Sequence, residues 1–273
     1  MKARATLGLV RNTPVPRDSA ARDRIHRIWD ELAAFEASES EAALLYLLGA
    51  VAKLITAQNA VWIGVLRMSD DRKDPLNGWR ARAIRYLHPT TADQASGEKA
   101  MRRMRGVVHD PSTAAHLRMA GRFHVVLQRE VMPDWHESET YLELYAPRGI
   151  IDMLTVGAPV NPWAESYYLF HRKRPRRAFT AQDRDTVAYA MRSLTWFHRQ
   201  VLLSHGLLAA HSPLSPAERR MLAALLSQRT EKEIAATLRL THATAHTYIQ
   251  QVFRKFGVGS RAGLTALWLG QAR

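Results

Sequence analysis

The chain has 273 residues and a formal charge of +14 at neutral pH, long enough for two domains with a core each and basic enough to attract phosphate at a distance. It contains no cysteine, which excludes disulfides, thiolate zinc sites, cysteine-ligated iron–sulfur clusters and thiol redox sensing. The longest apolar stretch, Ala42 to Ala52, is too short to span a bilayer, and no secretory leader is legible, so a soluble cytoplasmic protein without a membrane partner is expected.

Residues 1–17 mix Arg, Thr, Pro and Gly and are expected to form a flexible N-terminal segment. Asp18 to Ala37 reads as a helix with Ile25, Ile28, Trp29, Leu32 and Phe35 on one side. Ser40 opens a second, through Leu44, Leu45, Leu48, Val51, Leu54 and Ile55. A strand follows at Ala60–Met68, then a charged turn ending at Gly78. In a second strand Trp79, Ala81, Ala83 and Arg85 alternate with Arg80, Arg82, Ile84 and Tyr86, so the pair reads as a hairpin with a long loop. Residues 89–131 carry few signals; one or two helices and a short strand around Phe123–Gln128 are expected. Asp134 to Tyr145 reads as helical. Ile150–Val160 and Ala164–His171 read as strands joined by Asn161, Pro162 and Trp163. Thr180 and Asp183 make a capping box that opens a long helix to about His205, and Ala209–Pro213 reads as a linker.

The remaining residues have a different grammar. Ser215, Pro216 and Glu218 form a capping box with proline at the first helical position, ahead of Met221, Leu222, Leu225 and Leu226 on one face. Thr230 and Glu233 repeat the device ahead of Ile234, Ala235 and Leu238. Thr241 caps a third helix whose inner positions are Ala245, Ile249, Val252, Phe253 and Phe256, closed by Gly257. Ser260 caps a fourth, with Leu264, Leu267 and Trp268 inside. The outer face of the third helix offers His242, Thr244, His246, Thr247, Gln250, Gln251, Arg254 and Lys255, and no acid occurs between Thr241 and Gly257. Glutamine matches adenine edges, threonine packs on a thymine methyl, and arginine or lysine holds phosphate or guanine. A merely solvated polar face would carry acids too. From residue 211 onward nine Lys and Arg stand against three acids, a denser positive charge than in the preceding residues.

This segment resembles the LuxR-type (GerE-type) helix-turn-helix of bacterial transcription regulators. The resemblance rests on Leu214, Glu218, Leu222, Lys232, Glu233, Ile234, Ala235, Leu238, Thr244, Val252, Lys255, Gly257, Val258, Ser260, Arg261 and Leu264, about a fifth of the chain. It implies that His246, Thr247 and Gln250 read bases and that Lys232, Thr244, Arg254 and Lys255 hold phosphates. The sequence departs from the family where Gln228 and Arg239 replace glycines that end the first two helices, where Tyr248 replaces a histidine, and where His246 replaces a basic residue. The last change suggests a pH-sensitive contact, with tighter binding near about pH 6.

The earlier residues suit an antiparallel sheet with helices packed over it, so the fold class is α+β with an all-α four-helix C-terminal domain. Tyr141–Leu154, the strand ending at Arg172, and Phe179–Asp185 resemble the GAF domain. The expected organisation is a GAF-like sensor over 18–208, a linker over 209–213 and the DNA-binding domain over 214–273. The resemblance implies a site between the sheet and the helices of residues 90–146, for which Trp62, Tyr86, Trp135, Tyr141, Tyr145, Trp163 and Tyr167 are the candidate pocket aromatics. The expected effector is an unidentified small molecule; the alternatives are a protein-interaction module without a ligand and an autoinducer-binding domain of the quorum-sensing type. An acyl-homoserine lactone ranks below another small molecule, because Asp74-Pro75 sits in a charged turn rather than in that domain's usual context. A phosphoacceptor receiver is also disfavoured, because the chain opens on basic, proline-rich sequence. Expected partners are double-stranded promoter DNA, a second copy and RNA polymerase.

No catalytic or metal-binding set is expected. His109, His116, His124 and His136 are scattered without a tight ligand pair, Glu137, Glu139 and Glu143 read as solvated, and there is no glycine-rich phosphate loop or nucleophile elbow. The basic run His171–Arg177 reads first as an exposed turn, ahead of an auxiliary phosphate contact or a surface for an acidic partner.

Overall fold

The computed structural model describes residues 13–16, 18–71, 73–105, 111–209 and 213–271. The expected flexibility of residues 1–17 therefore falls, except for 13–16, outside the described residues, as do His109 and residues 210–212 of the expected linker. In chain order the elements are α1 Ser19–Ala34, α2 Ser40–Leu54, β1 Asn59–Arg67, β2 Trp79–Tyr86, α3 Thr91–Arg105, α4 Pro111–Leu117, β3 His124–Leu127, α5 Gln128–Val131, β4 Ile150–Asn161, β5 Ala164–Lys173, α6 Ala181–Arg192, α7 Thr195–Ser204, α8 Pro216–Leu226, α9 Glu231–Leu238, α10 His242–Phe256 and α11 Arg261–Trp268. They form an α+β protein of two compact units. One comprises Met1–Asp30 and Leu45–Thr195, the other Glu31–Leu44 and Trp196–Arg273. Residues 31–44 and most of α7 thus fold with the C-terminal helices.

The first unit is built on one antiparallel sheet in the order β2-β1-β5-β4-β3. Strict alternation assigns its faces. Trp62 is registered with Tyr168, and with Phe170 they form a fully buried face, on which the Trp62 indole donates to Ser166 Oγ at 3.0 Å. The other face carries Val61, Ile63 and Val65 of β1, Tyr167, Leu169 and His171 of β5, and Met153 and Thr155 of β4. Leu117 of α4 packs there against Val65 and Tyr167. On β4, Gly157 is obligatory: a Cβ there would lie 2.1 Å from the His124 ring of β3.

Two long helices expected from periodicity are broken. Asp134–Tyr145 is instead a 3₁₀ turn at Trp135–Glu137 and a single π turn at Tyr141–Tyr145, followed by a 3₁₀ turn at Ala146–Arg148. Ser138 makes the break: its backbone is extended, and its hydroxyl donates to Trp135 O at 2.6 Å and accepts from Tyr141 N at 3.2 Å. The helix expected from Thr180 to His205 is interrupted between α6 and α7. Ser193 caps α6, and the buried Leu194 sits at the break beside Thr195, hydroxyl residues that favour helix ends over interiors. The basic run also divides. His171 and Arg172 are buried in β5, whereas Arg174, Arg176 and Arg177 lie in the exposed turn. Arg172 lies over the Phe179 ring and donates to the carbonyls of Ile55 and Arg177.

In the second unit every expected N-cap is in place. Ser215 accepts from Glu218 N, Thr230 from Glu233 N, Thr241 from Thr244 N and Ser260 from Gly263 N. Met221, Leu222, Leu225, Ile234, Ala245, Ile249, Val252, Phe256, Leu264 and Trp268 form the core, joined by Leu203 of α7. The two departures at helix ends resolve differently. Arg239 is left-handed, at φ 55°, and closes α9 as the family's glycine would. Gln228 has no such geometry: α8 ends on an extended Ser227, and Arg261 takes the carbonyls of Leu225 and Arg229 at 2.6 Å each, as well as that of Ser227. A side-chain guanidinium replaces the glycine cap there.

Candidate nucleic-acid interface and ligand cavity

α10 is an amphipathic helix fixed at both ends, by Thr241 and by the left-handed Gly257. Its inner residues are buried and its outer face is open: His242, Thr244, His246, Thr247, Gln250, Gln251 and Arg254 are exposed, and Lys232 is exposed on α9. Two of these side chains are partly committed. Thr247 Oγ1 donates to Ala243 O at 3.0 Å, which leaves its methyl for apolar contact, and Thr244 Oγ1 lies 2.8 Å from Thr241 Oγ1. Lys255 is committed more fully, with Nζ 2.8 and 2.9 Å from the two carboxylate oxygens of Glu218. Burial opposes ionisation of Glu218, but hydrogen bonds from Lys255 and Ser215 hold its carboxyl below the usual range. Lys255 therefore ties α10 to α8, whereas its neighbour Arg254 is exposed. His246 faces an acid: its Nδ1 lies 3.5 Å from Glu231 Oε2 at the start of α9.

The first unit holds a half-open cavity of about 80 Å³ over the Ile63–Tyr167 face of the sheet. Room for one water takes roughly 10–15 Å³ on such a measure, so the space is several times larger. Ile63, Val65, Met153 and Leu169 supply apolar wall, Ser112, Thr113 and His116 come from α4, and among the described residues no Asp, Glu, Lys or Arg lines it. Thr155 lines it too; its hydroxyl is buried and has no hydrogen-bond partner among the described residues. His116 is fixed by Gln128 at 3.1 Å, and Gln128 by Ser112 at 2.6 Å. The Tyr167 hydroxyl lies beside Glu165, and burial pushes both groups toward their neutral forms.

Of the seven expected aromatics, Tyr145 and Tyr167 line this cavity. Tyr141 and Trp135 stand behind it as wall support, their rings 4.7 Å apart and packed with Met153 and Tyr145. Trp62 is on the opposite face of the sheet, Tyr86 lies on β2, and Trp163 is 49% exposed at the β4–β5 turn, with Arg67 over its ring. The residues missed were Ile63, Val65, Met153, Thr155 and Leu169 on the strands and Ser112, Thr113, His116 and Leu117 on α4. Alternation along the strands could have paired Tyr167 with Leu169 and Met153 with Thr155; nothing local marked α4. His116 and His124 are buried in α4 and β3, and Glu143 is exposed, as expected, and ion-paired with Lys99 and Arg103 of α3. Among the described residues no cluster of His, Asp or Glu is placed to hold a metal ion, and no helix is long and apolar enough to cross a membrane.

Residues 212–268 match the family model of bacterial regulatory proteins, luxR family. The chain is 44% identical over 52 residues to the transcriptional regulatory protein MctR of Rhizobium johnstonii, covering 19% of this chain and 24% of that protein. It is 39% identical over 57 residues to the probable HTH-type transcriptional regulator GfsR of Streptomyces halstedii, covering 21% of this chain and 24% of that one. The match thus spans about a quarter of the length of these relatives. Among solved structures, SdiA in complex with octanoyl-rac-glycerol aligns over 94% of this chain and 97% of its own at 13% identity and a TM-score of 0.48. The VqsR LBD domain from Pseudomonas aeruginosa aligns over 68% of this chain and 98% of its own at 12% identity and a TM-score of 0.42. The C-terminal helices α8–α11 are a LuxR-type helix-turn-helix domain.

Proposed function

We propose that this protein is a DNA-binding transcriptional regulator in which α10 enters the major groove and the first unit senses a small molecule. The observation that carries the DNA reading is the outer face of α10, exposed, free of acids of its own, and set on a capped domain of the LuxR type. His246, Thr247 and Gln250 are the base readers, and Lys232, Thr244 and Arg254 the phosphate contacts. One short helix reads only a few base pairs, so two copies binding half-sites about one turn (~10 bp) apart complete the site. Selection of sites from random duplex DNA by the full chain, followed by a salt titration, tests this. An enriched two-fold motif whose affinity falls steeply with salt is expected; salt-dependent binding with no enriched motif would leave a non-specific basic protein.

The sensing role rests on a cavity that, among the described residues, has no charged lining and holds a Thr155 hydroxyl without a partner, which suits a neutral, mainly apolar molecule carrying a hydrogen-bonding group. A ligand of that kind modulates DNA binding only by its different affinity for the two states of the regulator. Native and denaturing mass measurement of the purified full chain tests it: an excess mass lost on denaturation supports a retained effector. If no excess mass appears and a panel of neutral amides and alcohols leaves the melting temperature unchanged, the first unit is a protein-interaction module instead.

A further inference from the structure

Glu231 occupies the first position of α9 and reaches across to α10. Its Oε2 lies 3.5 Å from His246 Nδ1 and 3.9 Å from His242 Nε2. The start of α9 has no need of it, because Glu233 already accepts from Thr230 N at 2.7 Å and Thr230 Oγ1 at 2.9 Å. A carboxylate beside a DNA-reading helix opposes phosphate, and pairing with an imidazole offsets that cost. The pairing gives little stability at such exposed positions, so its consequence lies in how the ring is presented.

With Nδ1 turned to Glu231, Nε2 lies on the far side of the His246 ring, free to meet a base edge. A neutral imidazole whose Nδ1–H donates a hydrogen bond to Glu231 leaves Nε2 as an acceptor, matched to adenine N6 or cytosine N4. Protonation turns Nε2 into a donor, matched to guanine O6 or N7. Resting on the DNA-reading function proposed above, we propose that Glu231 and His246 form a dyad that sets the preferred base at one position of each half-site and reverses that preference on acidification. Glu231 from α9 and His242 one turn earlier on α10 are the titratable groups that face the ring, and His242 competes for the same carboxylate oxygen.

The test is binding-site selection by the full chain at about pH 8 and about pH 6, at one ionic strength. One position per half-site is expected to pass from adenine or cytosine to guanine, a change on the order of tenfold for one exchanged hydrogen bond. Glu231→Ala, an exposed change that leaves the α9 cap intact, is expected to shrink the reversal. His246→Gln is expected to show one preference at both pH values, and His242→Asn to keep the reversal. Identical motifs at both pH values, or a full reversal in Glu231→Ala, overturns the dyad while the DNA-reading function stands. No enriched motif at either pH overturns both.

Discussion

At the scale of single residues, exposure and prior commitment separate the side chains that can reach DNA from those that hold the domain together. Gln250 and Arg254 are exposed on α10. Gln250→Ala is expected to relax preference at one base position by about 1–3 kcal/mol, and Arg254→Ala to weaken all sequences alike and lower the salt slope by about one. Competition binding against single-base site variants across a salt series distinguishes them; an unchanged site preference in Gln250→Ala would remove it from the base readers. Lys255 behaves differently because Glu218 holds it. Lys255→Met is expected to cost about 1 kcal/mol in denaturant unfolding and to leave the salt slope alone. A lower slope would return it to the phosphate contacts. His246, an exposed base reader in sequence, acquires its acidic neighbour only when α9 and α10 fold beside each other.

At the scale of elements, local signals located most helices and strands, and contacts from elsewhere decided where some of them stop. The four caps of α8–α11 fall where their serines and threonines predict, because a cap is satisfied within four residues. The end of α8 was not legible, since its carbonyls are taken by Arg261, more than thirty residues away. α9 ends on Arg239 in a conformation that costs a non-glycine residue about 1 kcal/mol. Arg239→Gly is therefore expected to raise the stability of the helix-turn-helix by up to that amount, read from its thermal midpoint. A decrease would show that the arginine side chain gives back more than the strain. The break between α6 and α7 and the π turn at Tyr141–Tyr145 lie inside apolar repeats that continue across them. Periodicity counts faces and is blind to a hydroxyl that ends a turn.

At the scale of the whole molecule, folding units and sequence segments do not coincide. Leu203, near the end of α7, is buried in the core of α8–α11, and Arg199 donates to Leu267 O at 2.9 Å. Leu203→Ala is expected to cost about 2–4 kcal/mol, with hydrogen exchange accelerating in α8 and α10. Exchange rising only within α7 would show that it lies outside that cooperative unit. The sheet unit carries a pH response of its own. Burial lowers the pKa of His124 to about 4 and, with the Arg148 charge adding to it, that of His171 to about 3. Both are favoured neutral in the fold, so their contribution is complete above the unfolded value near 6.5 and is lost as pH falls toward 4 and 3; at about pH 5 each has lost roughly 2 kcal/mol. Glu165 acts in the opposite sense: burial raises its pKa, so its contribution is lost as pH rises through the carboxylate range. Denaturant unfolding at about pH 7.5 and pH 5 is expected to show a smaller acid loss in His171→Leu than in the parent; equal losses would mean that His171 is not the buried base responsible.

The DNA-reading domain was legible almost entirely from sequence: its caps, its inner stripe and the acid-free outer face of α10 are properties of neighbours within one or two helical turns. The strand order β2-β1-β5-β4-β3, the neutral cavity and the pairing of Glu231 with His246 were decided only by tertiary structure. Each depends on which residues, distant or on separate helices, come to share a face, and Trp62 and Tyr167, equally plausible as pocket aromatics, end on opposite sides of one sheet because strand alternation places them there.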